Sequence, residues 1–252
     1  MNELKTAWII GASSGIGKSF SELLAKNNWQ VAISSRSKDK LDNIAAQHEN
    51  IYAFPLDITD IETLANSRDA ILKQLGSIDS LFINAGDYTP MPLEEFDPAL
   101  FNKLMAINFH GAVNSLDTVL PYMKEKQSGE IYITGSLAGY RGLPKAAPYN
   151  ASKAAVISLA ESLHLELKLQ GISIRVINPG FVESPLTSKN DFKMPFLISP
   201  EEAAEYIYKE LPKNNFEIAF PKRFAYIMKT LRLLPYRLYF ALTKASAKPT
   251  NK

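Results

Sequence analysis

Cysteine is absent from this chain of 252 residues, which excludes disulfide bonds and thiol catalysis and suits a cytosolic enzyme. Histidine is scarce, and His48, His110 and His164 lack the spacing of metal ligands, so we expect no metal site. No apolar run reaches the ~18 uncharged residues of a membrane-spanning helix. Residues 1–5 leave no room for a signal peptide before the first strand. We therefore expect a cytoplasmic protein that is soluble or peripheral to a membrane.

Two further absences mark the end of the chain. No glycine follows Gly180, and residues 221–252 contain no Asp or Glu. The same residues carry eight Lys or Arg, so they contribute +8 to a net charge of +2, and the remainder contributes −6. This asymmetry indicates a location-specific role for the last 32 residues.

Residues 1–220 alternate short apolar runs with longer helical patterns, which is typical of parallel βαβ units. With right-handed crossovers they predict one α/β domain with a doubly wound, parallel, seven-stranded sheet of the Rossmann type. A dinucleotide would then lie across the carboxyl ends of the strands. The candidate strands are Ala7 to Ile10, Val31 to Ser34, Ile51 to Phe54, Leu81 to Ile83, Ile131 to Thr134, Ile174 to Ile177 and Ile218 to Phe220.

A glycine-rich turn, with glycines at positions 11, 15 and 17, joins the first strand to a helical pattern. Glycines let the backbone turn tightly and approach a pyrophosphate, while the amides at the start of a helix favour an anion. The order of strand, turn and helix predicts a phosphate site. A plain glycine-rich turn is the alternative.

A phenol and an ammonium lie four residues apart at Tyr149 and Lys153, and Ser136 lies thirteen residues upstream of the phenol. In a helix, Tyr149 and Lys153 would share one face. A phenol titrates near ~10 in water, so a nearby cation must favour its ionised form at neutral pH. Tyr149 is thus a candidate acid/base. The alternative is an ordinary helix start with a solvated lysine.

Taken together, these motifs resemble the short-chain dehydrogenase/reductase family in identity, order and spacing. The resemblance spans about residues 5 to 220. Ile10 and Ile83 depart from the family's usual threonine and second asparagine, and neither departure removes a reacting group. The motifs that carry it are the turn at Gly11 to Gly17, Asn84-Ala85-Gly86, Asn108, Ser136, Tyr149, Lys153 and Asn178-Pro179-Gly180.

The resemblance implies an oxidoreductase that transfers hydride between a nicotinamide and a carbonyl or alcohol. Ser136 would donate a hydrogen bond to the developing alkoxide and Tyr149 would deliver the proton. Lys153 would lower the pKa of the phenol and hold the nicotinamide ribose. Asn108 would anchor a relay water, unless it is simply a polar helix residue. A homodimer or homotetramer, built through the helices that hold Asn108 and Tyr149, is also implied.

The resemblance also implies which residues contact the cofactor. Asp57 would bind the adenine amino group, or it could cap a helix instead. Ser184 aligns with the family's threonine near the nicotinamide carboxamide. The full set is Gly11, Ser13, Ser14, Gly15, Ile16, Gly17, Ser35, Arg36, Asp57, Ile58, Asn84, Ala85, Gly86, Tyr149, Lys153, Pro179, Gly180, Val182 and Ser184.

Cofactor preference depends on the residues after the second strand. Ser35 stands where family members that use NAD carry aspartate, and Arg36 offers a planar fork suited to a 2′-phosphate. We therefore predict NADP(H). NAD(H) is the alternative, with Arg36 on the surface or stacked against adenine.

The substrate is less clearly indicated. Leu137, Ala138, Leu143 and Pro144 flank the catalytic serine and tyrosine, and residues 185–199 fall where the family places a mobile lid. An apolar lining favours a lipophilic ketone or aldehyde, although the same residues could be local core. A non-catalytic nucleotide-binding sensor or scaffold and an NAD-dependent alcohol dehydrogenase are the alternative functions.

Residues 221–252 form a basic amphipathic pattern that Pro235 should split into two helices. We hypothesise that this C-terminal extension lies on an anionic membrane surface. The alternatives are that the extension binds an acidic carrier, or that it packs on its own domain or on a partner subunit. We expect no binding to nucleic acid. The residues assigned to one apolar face are Phe224, Ile227, Met228, Leu231, Leu234 and Leu238.

Overall fold

The structure is a computed structural model, and it describes residues 4–244. The start of the chain and the last eight residues of the basic extension lie outside the described residues. All seven predicted strands are confirmed. They are β1 (Thr6–Ile10), β2 (Gln30–Ser34), β3 (Ile51–Ala53), β4 (Ser80–Ile83), β5 (Gly129–Thr134), β6 (Ile172–Pro179) and β7 (Glu217–Phe220). The α-helices are α1 (Gly15–Lys26), α2 (Lys38–Ala45), α3 (Ile61–Leu75), α4 (Pro98–Met105), α5 (Gly111–Lys126), α6 (Ala147–Lys168), α7 (Pro200–Glu210), α8 (Lys222–Leu233) and α9 (Tyr236–Thr243).

The strands form one parallel sheet in the order β3-β2-β1-β4-β5-β6-β7. The chain moves outward from β1 to β3 and then returns to place β4 on the other side of β1. Loops that follow β1 and β4 therefore diverge to opposite faces of the sheet. This reversal opens the crevice in which doubly wound sheets bind ligands.

Alternation along β1 supplies both layers of the core, because successive side chains of a strand point to opposite faces. Trp8 and Ile10 pack in the cluster that contains Ile71 of α3. Ala7 and Ile9 pack in the cluster that contains Phe20 of α1. Because helices cover both faces, the strand is buried throughout and its sequence shows no polar alternation.

The helix between β4 and β5 is interrupted by one π-helical segment, Ala106–His110, which joins α4 to α5. The segment carries the buried Asn108. Single π-helical turns inside α-helices often occur at functional sites.

As predicted, Pro235 separates two helices in the C-terminal extension. The six residues predicted to form one apolar face are divided, since Met228 is buried whereas Ile227 and Leu238 are exposed. Ile227 lies about 100° around the helix from Met228, and Pro235 redirects the chain so that Leu238 does not continue the face of α8. The inner side of α8 therefore packs on its own domain.

Candidate active site

A cavity of about 930 Å³ lies at the carboxyl ends of the central strands. It brings together almost all of the residues predicted to act on substrate or cofactor. Gly17 and Asn108 are the exceptions, since both lie behind the cavity wall. The predicted residues that line it are Gly11, Ser13, Ser14, Gly15, Ile16, Ser35, Arg36, Asp57, Ile58, Asn84, Ala85, Gly86, Ser136, Tyr149, Lys153, Pro179, Gly180, Val182 and Ser184.

Gly11, in the turn between β1 and α1, must be glycine for two physical reasons: its positive φ and the lack of space for a Cβ. Gly11 has a φ of +93°, and a Cβ there would lie 2.4 Å from the backbone nitrogen of Ala85. Ser14, the N-cap of α1, makes no side-chain capping bond, so the first amides of the helix remain available to an anion. This cradle, which a side chain would fill, fits the pyrophosphate of a dinucleotide.

Gly17 holds the turn from behind, and Gly17→Ala is expected to destabilise the protein by about 1–3 kcal/mol. An added Cβ would lie 2.2 Å from the carbonyl oxygen of Gly11, so the turn itself must shift. Gly142→Ala is the matched control, because a Cβ there meets nothing within 4 Å. Urea denaturation of both variants measures the difference. Equal midpoints would show that the turn accepts the methyl group.

Ser136 and Tyr149 both line the cavity, and the Ser136 side chain acts on the phenol so as to lower its pKa. Tyr149 and Lys153 lie on one face of α6, with the Lys153 Nζ 5.8 Å from the centroid of the phenol ring. The same Nζ donates to the carbonyl oxygen of Thr134 at 2.8 Å. A hydroxyl, a phenol and an ammonium thus share one end of the cavity.

The protonation of this group follows from its burial. Burial raises the pKa of the Tyr149 phenol, and the Ser136 side chain only partly offsets this rise. Burial lowers the pKa of Lys153 to about 8. In this structure the Lys153 ammonium is engaged by the Thr134 carbonyl, and its predicted effect on the pKa of Tyr149 stays a prediction. A phenol with a raised pKa is protonated at neutral pH, as a proton donor must be.

Asn108 connects two elements of the site from behind the cavity. Its Oδ1 accepts from the Asp87 amide at 2.7 Å, and its Nδ2 donates to the Asp87 carbonyl at 3.0 Å. Nδ2 also donates to the Ser152 hydroxyl at 2.9 Å, next to Lys153 in α6. The side chain thus ties the loop after β4 to α6. Its predicted role with a relay water stays a prediction.

At the opposite end of the cavity, Arg36 follows β2 with an exposed side chain. Asp57 accepts from the amide and hydroxyl of Thr59, at 2.9 and 2.8 Å. Burial tends to raise the pKa of Asp57, but these bonds and the charge of Arg36 outweigh it and hold the pKa below its usual range. Asp60, not Asp57, caps α3. The helix-cap alternative for Asp57 is therefore wrong.

Sequence reasoning missed a set of contacts that hold the predicted lid. The Tyr88 ring packs edge-on against Tyr149 with centroids 5.1 Å apart, and its hydroxyl donates to Oδ1 of Asn190 at 2.9 Å. Lys189 Nζ lies 3.1 Å from Oδ1 of Asp87. Burial raises the pKa of Tyr88 to about 12. In the sequence, only the position of Asp87 and Tyr88 directly after Gly86 could have indicated these contacts.

The outer end of the cavity is apolar. Leu137, Ala138, Leu143 and Pro144 line it, as the substrate prediction requires. The sequence did not indicate that the C-terminal helices complete this wall. Phe224 of α8 stacks on Phe181 with centroids 5.6 Å apart. The other lining residues from these helices are Met228, Leu231, Leu242 and Thr243.

Among residues 4–244, no helix combines the length and the apolar character that crossing a bilayer requires. Over the same range, histidine and acidic side chains do not gather in groups of three suited to a metal ion.

The chain is similar to known proteins in sequence and in fold. The profile of the short chain dehydrogenase family matches residues 5–194. An uncharacterized oxidoreductase of Myxococcus xanthus is 32% identical over 244 residues, covering 95% of this chain and 96% of that protein. The 3-ketoacyl-(acyl-carrier-protein) reductase of Brucella melitensis, complexed with NADH, has a TM-score of 0.81 and 26% identity, covering 87% and 98% of the two chains.

A further solved structure extends the range of cofactors. The alcohol dehydrogenase of the archaeon Thermococcus sibiricus, complexed with 5-hydroxy-NADP, has a TM-score of 0.78 and 26% identity, covering 86% of this chain and 96% of that one. These neighbours support a nicotinamide cofactor without deciding between NAD and NADP. The comparisons confirm the resemblance inferred from the motifs: the chain belongs to the short-chain dehydrogenase family and is an oxidoreductase of that family.

Proposed function

We propose that this protein is an NADP(H)-dependent reductase of a lipophilic ketone or aldehyde. One observation carries the proposal: Ser136, Tyr149 and Lys153 lie in the cavity between the glycine cradle and an apolar wall. A dinucleotide at the cradle and an apolar carbonyl compound at the wall would meet at these three side chains. The family is compatible with alcohol oxidation as well, but a protonated Tyr149 favours reduction.

The chemistry assigned to each side chain follows from its protonation. When bound, the nicotinamide supplies hydride to the carbonyl carbon. Ser136 donates a hydrogen bond to the carbonyl oxygen and stabilises the charge that develops there. Tyr149 gives that oxygen its proton, since its raised pKa keeps the proton in place until an alkoxide forms. Lys153 and the turn at Gly11 would hold the ribose and the pyrophosphate.

The preference for NADP(H) rests on Arg36, which lies at the cavity where the ribose 2′-position is expected. Arg36→Ala should weaken NADP(H) binding by at least about tenfold, since charge-assisted bonds contribute about 1.5–3 kcal/mol. Affinity for NAD(H) should stay within about twofold. Lys38→Ala is the matched control, because this nearby exposed lysine pairs with Asp42 and lies away from the cavity.

Thermal unfolding with NADP+ and separately with NAD+ measures this preference. A ligand that binds only the folded protein stabilises it by about 2.7 kcal/mol at a hundredfold excess over its Kd. We expect the larger shift with NADP+ and its loss in Arg36→Ala alone. A larger shift with NAD+ would favour an NAD-dependent alcohol dehydrogenase. No shift with either nucleotide would contradict the proposed function.

A further inference from the structure

The C-terminal helices carry seven exposed apolar and aromatic side chains. These side chains fall within the seventeen positions from 226 to 242, a density well above the scattered apolar residues of an ordinary surface. Two of them, Leu233 and Phe240, are 84% and 60% exposed. We call this set the outer face; its members are Tyr226, Ile227, Leu233, Tyr236, Leu238, Phe240 and Leu242, and the ring of Tyr236 also lies 4.8 Å from the Arg141 guanidinium.

Basic side chains accompany the outer face. Arg223, Arg237 and Lys244 are exposed and form no ion pair with any residue that the structure describes. Lys222 and Lys229, by contrast, pair with Glu210 and Glu217 of the catalytic domain. Because residues 221–252 contain no acidic side chain, the positive charge of the outer face is not neutralised locally.

The inner side of the helix pair is fixed to the loop that connects Ser136 to Tyr149. Arg141 Nη1 donates to the carbonyl oxygens of Leu231 and Leu234, both at 2.7 Å. Its guanidinium lies 4.0 Å from the centroid of the Tyr239 ring, and the Tyr239 hydroxyl donates to the Gly142 carbonyl at 2.5 Å. These bonds satisfy carbonyls at the end of α8. The outer face is therefore presented by an anchored pair of helices.

We propose that the outer face binds the surface of an anionic lipid bilayer. Leucine and aromatic side chains would enter the interfacial region, and the unpaired arginines would contact the phosphate groups of the lipids. An acidic protein would match the charge, but it would leave most of this apolar area without a partner. A second copy of the chain would match the apolar area, but it would bring the same positive charges together.

One feature links this surface to the cavity. Leu242 lines the cavity and is 63% exposed on the outer face, so the cavity wall reaches the docking surface at α9. A substrate dissolved in the bilayer would enter there. This link, unlike the docking itself, rests on the proposed function.

Co-sedimentation of the full chain with vesicles tests the docking. The vesicles contain phosphatidylcholine with phosphatidylglycerol, or phosphatidylcholine alone. We expect binding only to the anionic vesicles, and its loss when salt shortens the Debye length from about 10 Å to about 3 Å. Point variants are used rather than a truncation after Phe220, because truncation would also remove the cavity wall at Met228 and Leu231.

The outer-face variant is L233S/F240S, and its matched control is L93S/F96S. The control residues are of the same types and are 81% and 58% exposed, but they lie near the start of α4. We expect a loss of about tenfold or more in vesicle affinity for L233S/F240S and less than about twofold for L93S/F96S. R223E/R237E, which keeps every apolar side chain, should also lose about tenfold or more.

Three results would overturn the proposal. The intact chain could fail to bind anionic vesicles, or both serine pairs could lose affinity equally. Finally, L233S/F240S could dissociate an oligomer in sedimentation velocity while vesicle binding stays absent, which would make the outer face a subunit contact. Unfolding temperatures near the native value establish that each variant is folded. If L233S/F240S does not fold, vesicle binding by R223E/R237E tests the proposal instead. None of these readouts requires turnover, so failure of the proposed reductase activity is detected separately.

Discussion

Replacing Tyr149 by phenylalanine is expected to lower kcat for carbonyl reduction by about 10²–10⁴-fold, the usual contribution of general acid catalysis. The substitution removes only the phenol hydroxyl, whose pKa the Ser136 side chain tends to lower. The ring that packs against Tyr88 and lies below the Lys153 ammonium stays in place. Cofactor affinity should therefore remain close to the native value. Steady-state kinetics with NADPH, together with a fluorescence titration of NADPH, separate the two quantities.

Tyr88→Phe is the control for this experiment, because Tyr88 is the other phenol at the same end of the cavity. Its hydroxyl bonds to Asn190 of the lid. We expect a loss of less than about tenfold, from a weaker lid contact worth about 1 kcal/mol. If Tyr149→Phe keeps its activity, or if Tyr88→Phe loses as much, Tyr149 is not the proton donor.

Lys153→Met is expected to lower kcat strongly while it raises the free energy of unfolding. Loss of the ammonium should cost about 10²–10³-fold in kcat and should also weaken cofactor binding, unlike Tyr149→Phe. At pH 7, however, burial makes the charged form of Lys153 unfavourable, as its pKa of about 8 against an ordinary 10.5 shows. Methionine fills similar space without charge. After the lost bond to Thr134 is subtracted, a net gain of about 1–2 kcal/mol in unfolding free energy follows.

The pH dependence of this gain has a definite sign. Below about pH 8 the folded and unfolded forms of the native chain both hold the Lys153 proton, so the full cost of burying the charge is present. Between about 8 and 10.5 the folded form has lost that proton and the unfolded form keeps it, so the native chain gains stability as pH rises. The advantage of Lys153→Met should shrink over this window. Urea titrations of both proteins at pH 7, 9 and 10 measure it, and a constant or growing advantage would contradict the assignment.

Much of the fold was predictable because its signals are local. Buried parallel strands are short apolar runs, and β1 shows this in Ala7 to Ile10. The glycine turn was readable for the same reason, since Gly11 must adopt a positive φ beside Ala85. Tyr149 and Lys153 share a helix face by spacing alone.

The rest of the site depends on contacts between distant parts of the chain. Lys189 meets Asp87, and Asn190 meets Tyr88, across about a hundred residues, and no local pattern specifies such pairs. The residues grouped on one apolar face of the C-terminal extension proved to be divided between buried and exposed positions for a related reason. Leucine, isoleucine and methionine are similarly apolar in the sequence, and the side that is covered depends on tertiary contacts such as the packing of Phe224 against Phe181.

Arg141 gives the C-terminal helices a thermodynamic connection to the reaction. It lies on the segment between Ser136 and Tyr149 and holds three carbonyl groups at the end of α8 and beyond. Any displacement of α8 and α9 is therefore transmitted to the segment that positions the hydroxyl and the phenol. Linkage is reciprocal. If attachment of α8 and α9 to a bilayer tightens substrate binding by some factor, substrate must tighten attachment to the bilayer by the same factor. The protein would then remain longest on a surface that is rich in its own substrate.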